Sequence, residues 1–65
     1  MKFLRIKKSL SQKNLAEKLY VSQRTISWWE TGKREPSISV LPKLAEILGC
    51  SIEEVVYAVI ESQQG

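Results

Sequence analysis

The stretch Ser22-Gln-Arg-Thr-Ile-Ser-Trp-Trp-Glu-Thr-Gly32 has the features of a short helix that begins and ends at defined residues. Ser22 is suited to cap the first turn, because its hydroxyl can accept a hydrogen bond from an otherwise unpaired backbone N–H. Gly32 can adopt the left-handed conformation with which helices often end. Ile26 and Trp29 lie three residues apart and share one face, which we expect to point inward.

The opposite face of this helix carries three polar side chains and one tryptophan: Gln23, Arg24, Ser27 and Trp28. Gln and Arg can each make two hydrogen bonds to a single base edge in the major groove of DNA. This composition predicts a face that reads bases. The alternative is an ordinary amphipathic helix with a solvated outer face, and this stretch by itself favours that alternative.

Charge is divided unequally along the chain. Residues 1–34 contain nine Lys or Arg and two Glu, a net charge of +7, whereas residues 35–65 contain one Lys and five Glu, a net charge of −4. Such segregation predicts one face that meets a polyanion and one that does not. Taken together with the stretch from Ser22 to Gly32, it favours nucleic acid as the partner over a merely solvated basic surface.

The overall composition is that of a small globular domain. The 65 residues predict one domain, near the lower limit at which a chain can fold alone. No apolar run approaches the roughly 20 residues of a membrane span, and the charged start does not resemble a signal peptide. With Cys50 alone and no His, we expect no disulfide, no metal site, no cofactor and a cytoplasmic location. The lack of His and Asp also argues against an enzyme.

Four further helices are predicted besides the one at residues 22–32, which makes the fold all-α with five helices in chain order. They cover residues 2–8, 12–19, 39–48 and 52 to about 62. The second and third helices, joined by a short turn, form a helix-turn-helix at about residues 12–31. Ser51 and Glu54 are spaced to form a capping box at the start of the fifth helix. Residues 33–39 form a loop, which we expect Ile38 to anchor inward.

Eleven apolar residues are predicted to form the core: Leu10, Leu15, Leu19, Val21, Ile26, Trp29, Ile38, Leu44, Leu48, Ile52 and Val55. The last helix has more apolar residues than one buried stripe requires, namely Val56, Tyr57, Val59 and Ile60. We interpret this surplus as the contact surface of a homodimer. The alternative is that these residues close the core over the first and fourth helices.

At this point the chain resembles the lambda-repressor/Cro, or Xre-type, family of helix-turn-helix proteins over essentially its whole length. The shared motifs are Leu-Ser-Gln-x-x-Leu-Ala at 10–16, Val-Ser-Gln-x-Thr-Ile-Ser at 21–27 and Trp-Glu-x-Gly-Lys-x-x-Pro-Ser at 29–37. The resemblance implies a five-helix domain that binds double-stranded DNA as a homodimer. It places the helix at residues 22–31 in the major groove of a palindromic operator, and we predict a repressor that needs no small-molecule ligand.

The resemblance also implies roles for individual residues. Gln23, Arg24 and Trp28 occupy base-reading positions, while Ser27 is a short donor that we assign to a base. For Arg24 the alternative is a solvated or phosphate-bound side chain. For Gln23 it is a side chain that only caps the helix and contacts the DNA backbone. For Trp28 the alternatives are covering the edge of the core and lying in the dimer contact.

A second group of residues is expected to bind phosphates: Gln12, Thr25, Lys33, Arg34 and Arg5. In the family pattern Arg5 and Glu30 match a salt bridge between the first helix and the end of the third, which would orient Arg5 towards a phosphate. Gln12 would sit at the groove edge and brace the recognition helix.

Tyr20 departs from the family pattern, which most often has Gly at this turn. A bulky residue at a position that needs positive φ implies backbone strain or an altered turn. A competing interpretation of the whole chain is a protein-interaction module of the same fold, such as an antitoxin or an adaptor.

Overall fold

Five α-helices and one 3₁₀ turn form the regular structure of the protein in a computed structural model, which describes the backbone of residues 1–64 and the side chains of residues 1–63. The helices are α1 (Lys2–Lys7), α2 (Gln12–Leu19), α3 (Gln23–Thr31), α4 (Leu41–Leu48) and α5 (Ile52–Gln64). The all-α fold predicted from the sequence is confirmed, and α2 and α3 lie where the helix-turn-helix was expected.

Serine side chains cap three of these helices. The hydroxyls of Ser11, Ser22 and Ser51 accept hydrogen bonds from backbone N–H groups three residues later, at 3.0, 3.1 and 3.1 Å. At α5 the Glu54 carboxylate accepts a reciprocal bond of 3.1 Å from the Ser51 N–H, which is the predicted capping box. Each cap satisfies an N–H group that a helix start leaves unpaired, so the helix starts are defined by local sequence.

The start of α4 differs from the prediction. Ile38–Val40 winds into a 3₁₀ turn, with the Val40 N–H bonded to the Ser37 carbonyl at 3.0 Å, and the α-helix begins only at Leu41. Pro42 is tolerated at the second helical position because an N–H there would have no partner within the helix. At the other end of the chain, α5 continues to Gln64, beyond the predicted end near residue 62.

The core is formed mainly by α2, α3, α4 and one residue of α5. Seven of the eleven predicted core residues are buried, and two more are half-buried against them. The buried ones are Leu15, Leu19, Ile26, Trp29, Leu44, Leu48 and Val55, and the half-buried ones are Leu10 and Val21. Met1, Ala16 and Ala45 are also buried, although they were not among the eleven residues predicted to form the core.

Two core predictions are wrong. Ile38 is 85% exposed because it lies at the outer side of the 3₁₀ turn, and the buried Pro36 fills the inward position of this loop instead. Ile52 is 47% exposed. It shares an outward stripe with Val56 and Ile60, four and eight residues later, while Val55, on the adjacent inward side of α5, is fully buried.

The turn between α2 and α3 contains a strained residue. Tyr20 has φ 59° and ψ 40°, the left-handed conformation that glycine adopts more readily, and its side chain is 94% exposed. The turn therefore keeps the geometry expected of glycine, and of the two alternatives the strained backbone is the correct one.

Gly32 lies where the end of α3 packs against the end of α5. Its φ is +81°, as predicted for a helix-ending glycine, and a Cβ placed there would lie 2.5 Å from the carbonyl oxygen of Ser62. The glycine therefore meets two requirements: a left-handed backbone and close approach of a neighbouring helix. Only the first requirement was visible in the sequence.

Candidate nucleic-acid interface

Helix α3 has one face in the core and one face towards solvent. Ile26 is fully buried and Trp29 is 5% exposed, so the inward stripe is as predicted. On the other side Gln23 and Arg24 are exposed, while Ser27 and Trp28 are half-buried. The four residues predicted to read bases therefore lie on one continuous outward surface of α3.

A chain of hydrogen bonds links the beginning of α2 to both ends of α3. The Gln12 Nε2 donates to Glu30 Oε1 at 3.0 Å, and the Gln23 Nε2 donates to Gln12 Oε1 at 3.5 Å. Gln12 is half-buried between its two partners. This arrangement ties the orientation of α3 to the N-terminus of α2 through side chains from the three motifs at residues 10–16, 21–27 and 29–37.

The same chain ends in a buried ion pair between α1 and α3. Arg5 Nε lies 2.7 Å from Glu30 Oε2 and Arg5 Nη2 lies 3.2 Å from Glu30 Oε1, a two-bond contact. Arg5 Nη1 donates to the carbonyl of Leu10 at 2.8 Å. The side chains of Arg5 and Glu30 are only 9% and 5% exposed. The guanidinium is thus enclosed and bonded on three of its nitrogens to the protein itself.

The ion pair also determines the ionisation of Glu30. Burial by itself would raise the pKa of this carboxyl, but hydrogen bonds from Arg5 and Gln12 and the charge of Arg5 outweigh burial. The net result is a pKa of Glu30 below its ordinary value. Glu30 is therefore held as a carboxylate at the point where α1, α2 and α3 meet.

The remaining residues predicted to bind phosphate surround this surface. Lys33 and Arg34 are exposed in the segment after α3, and half-buried Thr25 shares a 2.8 Å hydrogen bond with the Ser22 hydroxyl. Arg34 Cζ lies 4.9 Å from the centre of the Trp28 ring. This contact was not predicted, because the two residues are six apart across a helix end and helical periodicity does not relate them.

The apolar residues of α5 form a second exposed surface. Val56, Tyr57 and Ile60 are 37%, 68% and 46% exposed, so these three do not close the core as one alternative held. Val59 is half-buried and packs against the core. With Ile38 and Leu41 of the neighbouring segment, Val56, Val59 and Ile60 line a groove of about 400 Å³. We call Ile38, Ile52, Val56, Tyr57, Val59 and Ile60 the α5 patch.

The fold and the outward surface of α3 define a small helical domain built on a helix-turn-helix. The chain belongs to the helix-turn-helix family of the Xre, or lambda-repressor-like, type, whose family model matches residues 1–55. This is a family of DNA-binding transcription regulators. Among residues 1–64, no helix combines the length and apolar character that a membrane span requires.

Two relatives have names that bear on function. The chain is 42% identical over 52 residues to the HTH-type transcriptional activator BcrR of Enterococcus faecalis, a match that covers 80% of this chain and 26% of BcrR. It is 40% identical over 55 residues to MJ0272, an uncharacterized HTH-type transcriptional regulator of Methanocaldococcus jannaschii, covering 85% of this chain and 83% of the relative. The chain thus spans about a quarter of BcrR and most of MJ0272. No solved structure matches the chain significantly.

Proposed function

We propose that the protein is a sequence-specific regulator that binds double-stranded DNA as a homodimer, with α3 in the major groove of a palindromic operator. The observation that carries this proposal is the outward face of α3. It presents exposed Gln23 and Arg24, while the buried Glu30 and the half-buried Gln12 hold the helix in position. A helix fixed in this way places its base-reading side chains without a large ordering cost on binding.

Base reading is assigned to Gln23, Arg24 and Ser27, with Trp28 on the same surface. Arg24 is exposed and suited to the O6 and N7 acceptors of guanine. Gln23 can pair with N6 and N7 of adenine, and its 3.5 Å bond to Gln12 is long enough to be exchanged for such a contact. Ser27 is half-buried and reaches only a base that approaches the helix closely.

Phosphate binding is assigned to Lys33, Arg34, Gln12 and Thr25. Lys33 and Arg34 are exposed cations, whereas Gln12 and Thr25 lie at or next to helix starts, where unpaired N–H groups favour anions. Arg5 receives a positioning role in place of the phosphate contact suggested by the resemblance. Its enclosure and its three internal hydrogen bonds favour holding Glu30, and thereby α3, over reaching DNA.

The dimer contact is assigned to the α5 patch. A contiguous exposed apolar patch commonly marks an interaction site, and a two-fold dimer covers the same surface on both subunits. To read two half-sites of one operator, the two copies of α3 must lie about 34 Å apart, one turn of DNA. Sedimentation equilibrium tests the assignment: Ile60→Glu should dissociate the dimer, whereas Ile6→Glu, at an equally exposed Ile on α1, should not. If both variants stay dimeric, the patch is not the contact.

For the regulatory output we propose repression through occupancy of a promoter, which requires only the contacts with DNA. The relative BcrR is named an activator, so the same domain type serves the opposite output in that protein. Transcription in vitro from a template carrying the selected site, with and without the protein, distinguishes the two. A rise in transcript with added protein would contradict repression.

The central test is a titration against duplexes enriched from a random pool, at several salt concentrations, followed by tryptophan fluorescence. A palindromic site with steep salt dependence is expected, because phosphate contacts release counterions. No enriched site and a flat salt response would instead favour a protein-interaction module that uses the α5 patch, such as an antitoxin or adaptor.

A pair of variants separates base reading from phosphate binding. Arg24→Ala should lose about 1–3 kcal/mol of discrimination at one base pair per half-site, because only the guanine contact is removed. Lys33→Ala should weaken binding to all duplexes alike and reduce the salt slope by about one unit. If Arg24→Ala weakens every sequence equally, Arg24 does not read a base.

A further inference from the structure

The segment after α3 folds back onto Trp28. The carbonyl oxygen of Trp28 accepts hydrogen bonds from the N–H groups of Gly32, Lys33 and Arg34, the last two at 2.9 and 3.4 Å. The Arg34 guanidinium carbon then lies 4.9 Å from the centre of the Trp28 ring. The backbone carbonyl and the side chain of Trp28 thus both hold residues 32–34 in place.

The distance between Arg34 and Trp28 is within the range of a cation–π contact, about 6 Å from the ring centre. A guanidinium can place its flat face on an aromatic ring. Its N–H groups lie in the plane of the guanidinium and stay free to donate at its edge. Lys33, the adjacent cation, has a compact ammonium without such a plane, so it provides a matched comparison.

The contact brings Arg34 onto the outward surface of α3. Trp28 follows Arg24 by four residues and therefore lies one turn further along the same face. By covering the Trp28 ring, Arg34 continues this face beyond the end of the helix, where the exposed Lys33 also lies. The half-buried indole is thus a support for a cation, and its apolar surface needs no thymine methyl group to cover it.

We propose that Trp28 is a positioning residue that holds Arg34 for a two-bond contact with a DNA phosphate at the edge of the groove entered by α3. This inference rests on the proposed function and refines it. Trp28 acts through Arg34, and Arg34 binds the DNA backbone rather than a base. Because the Trp28 ring holds the guanidinium before DNA arrives, less conformational entropy is lost on binding.

A double-mutant cycle on the operator selected from the pool tests the proposal. Trp28→Leu should weaken binding about two- to fivefold in the wild-type background, the size of an exposed cation–π contact. In the Arg34→Ala background the same change should have no further effect, because the group that Trp28 positions is gone. Trp28→Phe keeps an aromatic face and should retain most of the affinity.

The control cycle combines Trp28→Leu with Lys33→Ala, and there the two losses should multiply. Arg34→Ala should also reduce the salt slope by about 0.9, equally for operator and unrelated duplexes, as one lost phosphate contact requires. Thermal unfolding of each variant establishes that the fold persists, since a purely structural role for the pair would change melting without producing a selective coupling in DNA affinity.

Three results would overturn the inference. Equal losses from Trp28→Leu with and without Arg34 would mean that Trp28 contacts DNA itself. A loss from Arg34→Ala at one base pair only would mean base reading. If the wild-type protein binds no duplex in a salt-dependent way, the proposed function itself is wrong. If the wild type binds but the cycle shows no coupling, only the role assigned to Trp28 is wrong.

Discussion

Helices α3 and α5 have similar buried faces but exposed faces of opposite polarity. Each buries an apolar residue completely, Ile26 in α3 and Val55 in α5. The outward face of α3 carries Gln, Arg, Ser and Trp, whereas α5 carries exposed Ile, Val and Tyr in the α5 patch. The inner faces make the fold, and under the proposed function the outer faces select different partners: a polar, basic surface suits a polyanion, and an apolar one suits another protein surface.

The two helices are also held in place by different forces. The end of α3 is fixed by the buried ion pair of Arg5 and Glu30 and by Gln12. Helix α5 packs on the core through Val55 and the half-buried Ala58 and Val59. An ion pair and directed hydrogen bonds fix orientation, which base reading needs, while apolar packing is less directional. The predictions below follow from this difference.

The largest effect is expected from Glu30→Ala. It leaves Arg5 buried without its partner, and breaking a buried pair from one side costs about 3–5 kcal/mol of unfolding free energy. Urea denaturation measures the loss, with Glu46→Ala, an exposed carboxylate on α4, as the control expected within about 0.5 kcal/mol of wild type. A cost below about 1 kcal/mol for Glu30→Ala would mean that the ion pair with Arg5 does not hold α3 in place.

The two helix-ending glycines provide a second comparison, because Gly32 joins α3 to α5 and Gly49 ends α4. Both have positive φ, so an alanine costs about 1–2 kcal/mol at either position. At Gly32 the added Cβ meets the backbone carbonyl of Ser62, whereas at Gly49 it meets the flexible side chain of Lys8. Gly32→Ala should therefore cost about 2–4 kcal/mol and Gly49→Ala only the smaller amount. Equal losses in thermal unfolding would contradict the tight packing of Gly32 against α5.

The stability of the protein should depend on pH through Glu30. Its pKa is lowered in the folded protein, so its contribution is fully present above the ordinary Glu pKa of about 4.3 and is lost as pH falls through the lower, folded value. Unfolding free energies measured between about pH 5 and pH 2 should therefore fall more steeply for wild type than for Glu30→Gln, which cannot titrate. Parallel curves would mean that another carboxyl governs acid unfolding.

The smallest effect on stability is expected at Tyr20. Tyr20 ends α2 in the left-handed backbone conformation, which at the end of α4 is adopted by a glycine, Gly49. Tyr20→Gly relieves the left-handed strain, offset by the entropy of glycine, for a net gain of about 0.5–1 kcal/mol. Little packing is lost because the side chain is 94% exposed. Tyr20→Ala keeps a Cβ and should show no such gain; equal gains would locate the effect in the phenol ring instead.

Much of the fold could be predicted because its signals are local. The caps at Ser22 and Ser51, the helix end at Gly32 and the inward stripe of α3 each depend on residues within about four positions, and the structure confirms them. The polar outer face of α3 follows from the same periodicity. The pairing of Arg5 with Glu30 came from the family pattern, since no local rule relates residues 25 positions apart.

The tertiary structure alone decided what depends on which elements meet. Ile38 and Ile52 are as apolar as the buried residues, yet no described element covers them, and they join the α5 patch instead of the core. The enclosure of Arg5 and the approach of Arg34 to Trp28 likewise depend on how a loop or a neighbouring helix is placed. The sequence by itself determined the helices and their two-sided character, because hydrogen bonding and periodicity are local; the assignment of apolar and charged side chains to core or surface required the packed chain, because burial is a property of all neighbours together.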